Sequence, residues 1–255
     1  ESVPVEVFRV MDSRPLDLSI VIGSCESWPA VRLPLESLRP QLEGLAVEVI
    51  VGLSTPQGMD PAFADSFKVL TTFCEPGASV FWLRTQGISR ARGEIIAVTE
   101  DHCRVHPGWC REILRAHQDH PEFSMIGGSI DNGADRAVVD WANFLISNVA
   151  FMPPVSAGSS DSISMQANLS LKKRAKPPVK SDLGNMEMLF VAESAKSGER
   201  FYSDPSIRVE HVQSHGFWRT FAVHFHNGRS IAGFRSEQIS PVEWWLRLLS
   251  TPLLA

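Results

Sequence analysis

Leu18, Ile20, Val21 and Ile22 form an apolar, β-branched run that stops at Gly23, and Val47, Val49, Ile50 and Val51 form a second that stops at Gly52. Short runs of this kind bounded by turn residues predict buried strands. Between them Val31, Leu35, Leu38 and Leu42 recur at helical spacing, with Pro34 expected to kink or restart the helix. Further strands are expected over residues 68–72, 79–83 and 94–99, followed by a helix opened by Pro107 and carried on Trp109, Ile113, Leu114 and His117. Strands alternating with helices predict an α/β fold with a mainly parallel sheet and right-handed crossovers. Ligands bind such sheets beyond the carboxyl ends of the strands, which directs attention to the loops after Ile22, Val51 and Thr99.

The pattern is less regular further on. Pro153 and Pro154, then residues 157–162 and 172–178, have loop compositions around one expected strand at 163–171. A helical pattern returns over 185–196, with Met186, Leu189, Phe190 and Ser194 along one side. Residues 240–255 contain Trp244, Trp245, Leu246, Leu248 and Leu249, interrupted by Glu243 and Arg247. That segment is too short and too charged to span a bilayer, which takes roughly 20 apolar residues. It reads either as an interfacial segment lying on a membrane or as a terminal helix docked on the core.

Composition narrows the class. The chain has 255 residues, 44% of them hydrophobic and 21% charged, which is ordinary for a globular protein and excludes disordered, collagen-like and disulfide-scaffold classes. Its formal charge of −5 argues against a nucleic-acid partner held by phosphate neutralisation. Cys25, Cys74, Cys103 and Cys110 form no C-x-x-C pair, so reduced thiols and a cytoplasmic setting are expected. The opening residues show no basic segment followed by an apolar run, so no secretory leader is expected there.

The strongest chemical signal lies in residues 84–102. A short helix with Gly87 and Ala91 closely packed is expected to present Arg84, Arg90 and Arg92 outward, and a buried strand then runs into Glu100, Asp101 and His102. Two carboxylates and an imidazole at a strand's end are costly to bury unpaired, so they are either solvated or neutralised by a cation. Oxygen and imidazole ligands suit Mn²⁺ or Mg²⁺, completed by phosphate oxygens of a nucleotide. The plainer reading is a solvated loop that caps the helix near Pro107.

This run, with its Arg, its Gly four residues before a small residue, Gly93-Glu94 and an apolar strand leading to an acidic triplet, resembles family 2 glycosyltransferases of the GT-A fold. The resemblance continues through 18–27, 47–54, Pro107-Gly108-Trp109, Ile126-Gly127-Gly128, Ala167-Asn168, Glu187, Val209-Glu210-His211 and Gly228-Arg229. It implies a GT-A α/β fold with a mainly parallel mixed central sheet flanked by helices. It implies one domain over 1–239, with a nucleotide half at about 16–101, an acceptor half at about 102–239 and the Trp/Leu-rich segment after it.

The implied activity is inverting transfer of a sugar from a nucleoside-diphosphate donor to a glycan, lipid or small-molecule hydroxyl. Ser24, Glu26, Ser54, Arg84, Gly87, Arg92, Glu100 and Asp101 would lie on the nucleotide-sugar side, and Asp101, His102, Glu100 and His211 around the metal. Asn168, Trp218 and Arg229 would lie on the acceptor side, with Glu187 or Asp182 as base. Peripheral membrane contact through the last segment would place the protein at the inner face of a membrane. Two departures stand out: Gly52-Leu53-Ser54 replaces the family's usual Asp after the second strand, and Met188 replaces the second acid after Glu187. They favour an alternative reading as a non-catalytic nucleotide- or glycan-binding module. No G-x-G-x-x-G follows the first strand, which argues against a dinucleotide oxidoreductase.

Overall fold

The structure, a computed structural model, describes residues 15–250 except 56, 162, 165, 178–183, 185–186 and 237–239. The first expected strands form β1 (Leu18–Ser24) and β2 (Val47–Leu53), joined through a 3-10 turn at Trp28–Val31 and α1 (Arg32–Leu38). Pro34 sits in the first turn of α1, where a missing N–H costs no helical bond. Next come α2 (Pro61–Asp65), β3 (Leu70–Cys74), α3 (Val80–Arg90), β4 (Ile95–Glu100), β5 (Cys103–Val105), α4 (Trp109–Asp119) and β6 (Met125–Asn132). The remainder comprises α5 (Val138–Asn148), β7 (Gly158–Ser160), β8 (Leu169–Lys172), α6 (Glu187–Lys196), β9 (Phe201–His211), α7 (Phe217–Ser236) and α8 (Pro241–Ser250).

Two expectations are corrected. Residues 79–83 are not a strand: the Ser79 hydroxyl caps α3 by accepting from the Trp82 N–H at 3.1 Å, and the buried positions Leu83, Arg84, Gly87 and Ile88 follow helical spacing. The four-residue apolar run Val80–Leu83 does not by itself distinguish strand from buried helix. The strand expected over 163–171 is confined to β8, although Ile163 is buried in the core without strand pairing.

The sheet has nine strands in the order β3-β2-β1-β4-β8-β6-β9-β5, with β7 beside β9. The first four run parallel, β8 is antiparallel to both β4 and β6, and β9 is parallel to β6. Successive residues of β1 face opposite layers. Leu18, Ile20 and Ile22 pack with Trp28, Leu35, Leu38 and Trp109, whereas Val21 packs with Leu83 and Ile88 of α3. The parallel strands are thus buried on both faces, and their carboxyl ends lie side by side at Ser24, Leu53 and Glu100.

Candidate active site

β4 ends at Glu100, and the chain turns through Asp101 and His102 into β5. β5 is antiparallel to β9 with Cys103 opposite His211, and the Val212 N–H donates to the His102 carbonyl at 2.9 Å. That register carries His211 across 109 residues of sequence to His102, with the two Nε2 atoms 2.9 Å apart and the rings edge-on at 87°. One carboxylate oxygen of Glu100 lies 3.5 Å from His102 Nε2 and 3.8 Å from His211 Nε2. Ligand atoms of Glu100, His102 and His211 all fall within 4.8 Å of one another, and one carboxylate with two imidazoles suits a divalent transition ion.

Asp101, expected around the metal with them, is not among these converging ligand atoms. Its carboxylate accepts from the Ser24 hydroxyl at 2.5 Å and meets His102 Nδ1 at 2.6 Å. A carboxylate on one imidazole nitrogen fixes the ring and presents the other nitrogen. Burial opposes charge on His102, but Glu100 and Asp101 together outweigh it and lift its pKa to about 10. Burial, then the His102 charge, pushes His211 down to about 4. Glu100 is raised by burial but drawn down more strongly by His102, His211 and Arg84, to about 2. The cluster therefore consists of an ionised carboxylate, a protonated His102 and a neutral His211 in the absence of a bound cation.

Arg84 lies behind Glu100. It is buried instead of presented outward, which corrects the expectation from the sequence. A side chain at position 23 would put its Cβ 2.8 Å from Arg84 Cγ, so Gly23 is what lets the arginine cross the end of β1. Its Nε and Nη2 donate to the two oxygens of Glu187 at 2.5 and 3.1 Å, and Nη1 lies 3.6 Å from Glu100 Oε1. Glu187 is only 4% exposed and spends both oxygens on Arg84, so the expectation that it meets the acceptor as a base is corrected. Asp182, the other expected base, lies outside the described residues. Sequence reading missed the Arg84–Glu187 pair because 79–83 reads as a strand; helical spacing through Leu83, Gly87 and Ile88 would have put Arg84 on the buried face.

The other expected residues divide by location. Ser24, Glu26 and Ser54 gather at the carboxyl ends of β1 and β2, where the Ser54 N–H donates to the Ser24 carbonyl at 3.0 Å and the Ser54 hydroxyl donates to the Cys25 carbonyl. Arg219 in the first turn of α7 reaches Glu26 at 3.3 Å, which brings exposed Phe217 and Trp218 to the same side. Arg229 is exposed further along α7.

Three residues lie elsewhere. Arg92 is at the opposite end of the sheet, paired with Glu48 at 2.8 Å. Gly87 is a packing position, since a Cβ there would come within 2.5 Å of Val21 Cγ1. Asn168 is a buried knot: its amide donates to the carbonyls of Ser129 and Ile207 at 2.9 and 2.8 Å and accepts from Trp109 Nε1 at 2.9 Å. With both amide N–H groups spent and the side chain buried, it is not presented to an acceptor. A groove of about 820 Å³ between α1, β5 and α4 is lined by Gln41, Arg104 and Arg111 and by none of the three converging ligands.

Residues 19–155, just over half of the chain, match the sequence profile described as Glycosyl transferase family 2. The fold is similar to that of S. aureus TarS 1-349, with a TM-score of 0.58 at 11% identity, covering 77% of this chain and 60% of that one. It is also similar to the mannosyltransferase PcManGT from Pyrobaculum calidifontis, solved in complex with GDP-Man and Mn²⁺, with a TM-score of 0.58 at 15% identity over 86% of this chain and 65% of that one. The chain thus spans less than two thirds of either protein, and at these identities the likeness is one of fold: the expected GT-A architecture is the one observed. No curated protein sequence matches this one.

Proposed function

This chain belongs to glycosyl transferase family 2, and from that membership we propose that it moves a sugar from a nucleoside-diphosphate donor to a hydroxyl acceptor, inverting the anomeric carbon, with Mn²⁺ or Mg²⁺ at Glu100, His102 and His211. The observation that carries this reading is the convergence of those three ligands at the carboxyl end of β4, where α/β sheets bind their substrates. A cation there would offset the charge that develops on the diphosphate as it leaves.

The chain's own residues do the rest. Asp101 holds His102 through Nδ1 and is itself held by Ser24, so the end of β1 and the ligand imidazole move as one unit. With its pKa at about 10, His102 carries a proton at neutral pH in the cation-free protein. Cation uptake therefore releases a proton, and affinity falls as pH drops. Ser24, Glu26 and Ser54 border the nucleotide side, and Phe217 with Trp218 offers apolar faces on which a sugar can stack. As the acceptor oxygen attacks and the bond to the diphosphate breaks, the hydroxyl proton passes to a carboxylate. Glu187 is committed to Arg84, which leaves Asp182, outside the described residues, as the other base that the family resemblance implies. One sheet running through both halves supports treating 1–239 as a single catalytic unit.

The same reading places the protein peripherally on an anionic membrane surface. Phe221 and Phe225 of α7 and Val242, Trp245, Leu246 and Leu249 of α8 are exposed, and α7 carries the exposed Arg229 and no acidic residue. Co-flotation with phosphatidylglycerol vesicles but not with phosphatidylcholine vesicles is expected. Equal recovery with both would remove the electrostatic component, and no recovery with either would remove the contact.

The catalytic reading is tested by screening nucleotide sugars for thermal stabilisation in Mn²⁺ or EDTA and then measuring release of nucleoside diphosphate with acceptor present. Metal-dependent stabilisation and turnover by at least one donor are expected. Metal-dependent binding without turnover across a broad acceptor panel would favour the binding-module reading. Stabilisation that is indifferent to EDTA would remove the metal.

A further inference from the structure

The placement of the buried Arg84–Glu187 pair is unusual for a purely structural ion pair. Arg84 is 2% exposed and Glu187 4% exposed, yet the pair borders a ligand of the proposed cation. Arg84 lies between two carboxylates: it is bidentate to Glu187 at 2.5 and 3.1 Å, and its remaining nitrogen faces Glu100 Oε1 at 3.6 Å. The other oxygen of Glu100, Oε2, faces His102 and His211. Burial disfavours the arginine's charge, but Glu187 first and Glu100 second more than restore it. The guanidinium is therefore a fixed positive charge whose distribution between the two acids depends on Glu187.

We propose that Glu187 is a positioning residue of the metal centre: by engaging two nitrogens of Arg84 it keeps that cation from closing on Glu100, and so leaves Glu100 free to ligate. This inference rests on the cation reading above and replaces the acid–base role expected of Glu187. The geometry accounts for three features at once. A carboxylate buried in the first turn of α6 has a partner, an arginine crosses the end of β1 over Gly23, and Glu100 keeps one oxygen directed at the two imidazoles. It also links α6 of the acceptor half to the strand end of the nucleotide half through one side chain, over 103 residues of sequence.

Without Glu187, the full charge of Arg84 would fall on Glu100. A salt bridge formed there would compete with a divalent ion for the same carboxylate, and partners behind a ligand are typically worth about 10- to 100-fold in metal affinity. The test uses the full chain and Mn²⁺ alone, without nucleotide or acceptor, with bound and free ion resolved by electron paramagnetic resonance and stability followed by urea unfolding. Glu187→Gln keeps the size of the side chain and removes its charge. Arg84→Lys keeps the cation but breaks the fork to Glu187, which leaves the ammonium free to approach Glu100.

Each variant is expected to bind Mn²⁺ about tenfold more weakly than wild type. The double variant Arg84→Met with Glu187→Met removes the competing cation together with its partner, and is expected to bind Mn²⁺ at least as tightly as wild type. Mn²⁺ affinity unchanged in Glu187→Gln, with turnover lost, would overturn the inference and return Glu187 to proton transfer. Unchanged affinity in Arg84→Lys would overturn it even if Glu187→Gln did not fold. Wild-type protein that fails to bind Mn²⁺ would overturn the cation reading and this inference with it, whereas wild-type binding with no effect of any variant would overturn this inference alone.

Discussion

Both ends of the parallel sheet hold a glutamate against an arginine, but they match the charges differently. At the amino end, Glu48 accepts from the Ser19 hydroxyl at 2.6 Å, the Arg92 N–H at 2.7 Å and Arg92 Nε at 2.9 Å, and Ser19 in turn accepts from the Gly93 N–H at 2.8 Å. Its acceptors are engaged by donors at hydrogen-bond distance. At the carboxyl end, Glu100 has its cationic neighbours His102 and Arg84 at 3.5 and 3.6 Å and the neutral His211 at 3.8 Å, and two ring nitrogens are directed at each other. A closely bonded pair clasps strands together. A looser one, with ligand atoms converging on a common point, has coordination left to give. The difference separates a structural ion pair from a candidate catalytic centre more sharply than burial does, because Glu48 is the more buried of the two.

The largest break in this contrast is expected from His211→Ala. Removing one of three converging ligands should lower Mn²⁺-dependent turnover by about 100-fold, with a much smaller change in the urea midpoint. A stability loss with Mn²⁺ affinity intact would make the imidazole pair structural. The complementary variant at the other end, Glu48→Ala, strips partners from Ser19 and Arg92 and should cost about 2 kcal/mol of stability, limited because Arg92 is half exposed, while Mn²⁺ affinity stays at the wild-type value. Weaker metal binding in that variant would show that the two ends are coupled.

A smaller effect sharpens the comparison with another buried histidine. His117 of α4 donates to the Ser170 hydroxyl or accepts from it at 3.0 Å, and burial, with a lesser contribution from Lys172, depresses its pKa from 6.5 to about 3. The native state keeps it neutral while the unfolded chain takes up a proton below pH 6.5. Stability is therefore complete above that pH and declines as pH falls toward 3, by at most about 1.4 kcal/mol per pH unit. His117→Leu should flatten the dependence over that window in urea titrations. An unchanged slope would assign acid sensitivity to other groups.

The parts of this protein that were legible from its sequence are those whose chemistry is local. The runs at 18–22, 47–51 and 94–99 became β1, β2 and β4 because a strand buried on both faces must be apolar throughout. The triplet Glu100-Asp101-His102 was legible because it directly follows one of them. The irregular stretch around 163–171 was not, since Ile163 is buried by packing with no strand around it, and pattern does not encode that. Likewise Asn168 has the same letter whether it faces an acceptor or ties Ser129, Ile207 and Trp109 together in the core.

What the amino-acid order determined by itself was the alternation of strand and helix, hence a sheet whose carboxyl edge carries acids and an imidazole. Which of those groups converge and which pair elsewhere was decided only in three dimensions. His211 arrives through the β5–β9 register, Asp101 turns to the far nitrogen of His102, and Glu187 is drawn to Arg84. The physical reason is that a polar or charged side chain takes its role from the hydrogen-bonding or charged neighbour available to it in a buried setting. Over separations of 103 and 109 residues, that neighbour is selected by the packing of the sheet and not by spacing along the chain.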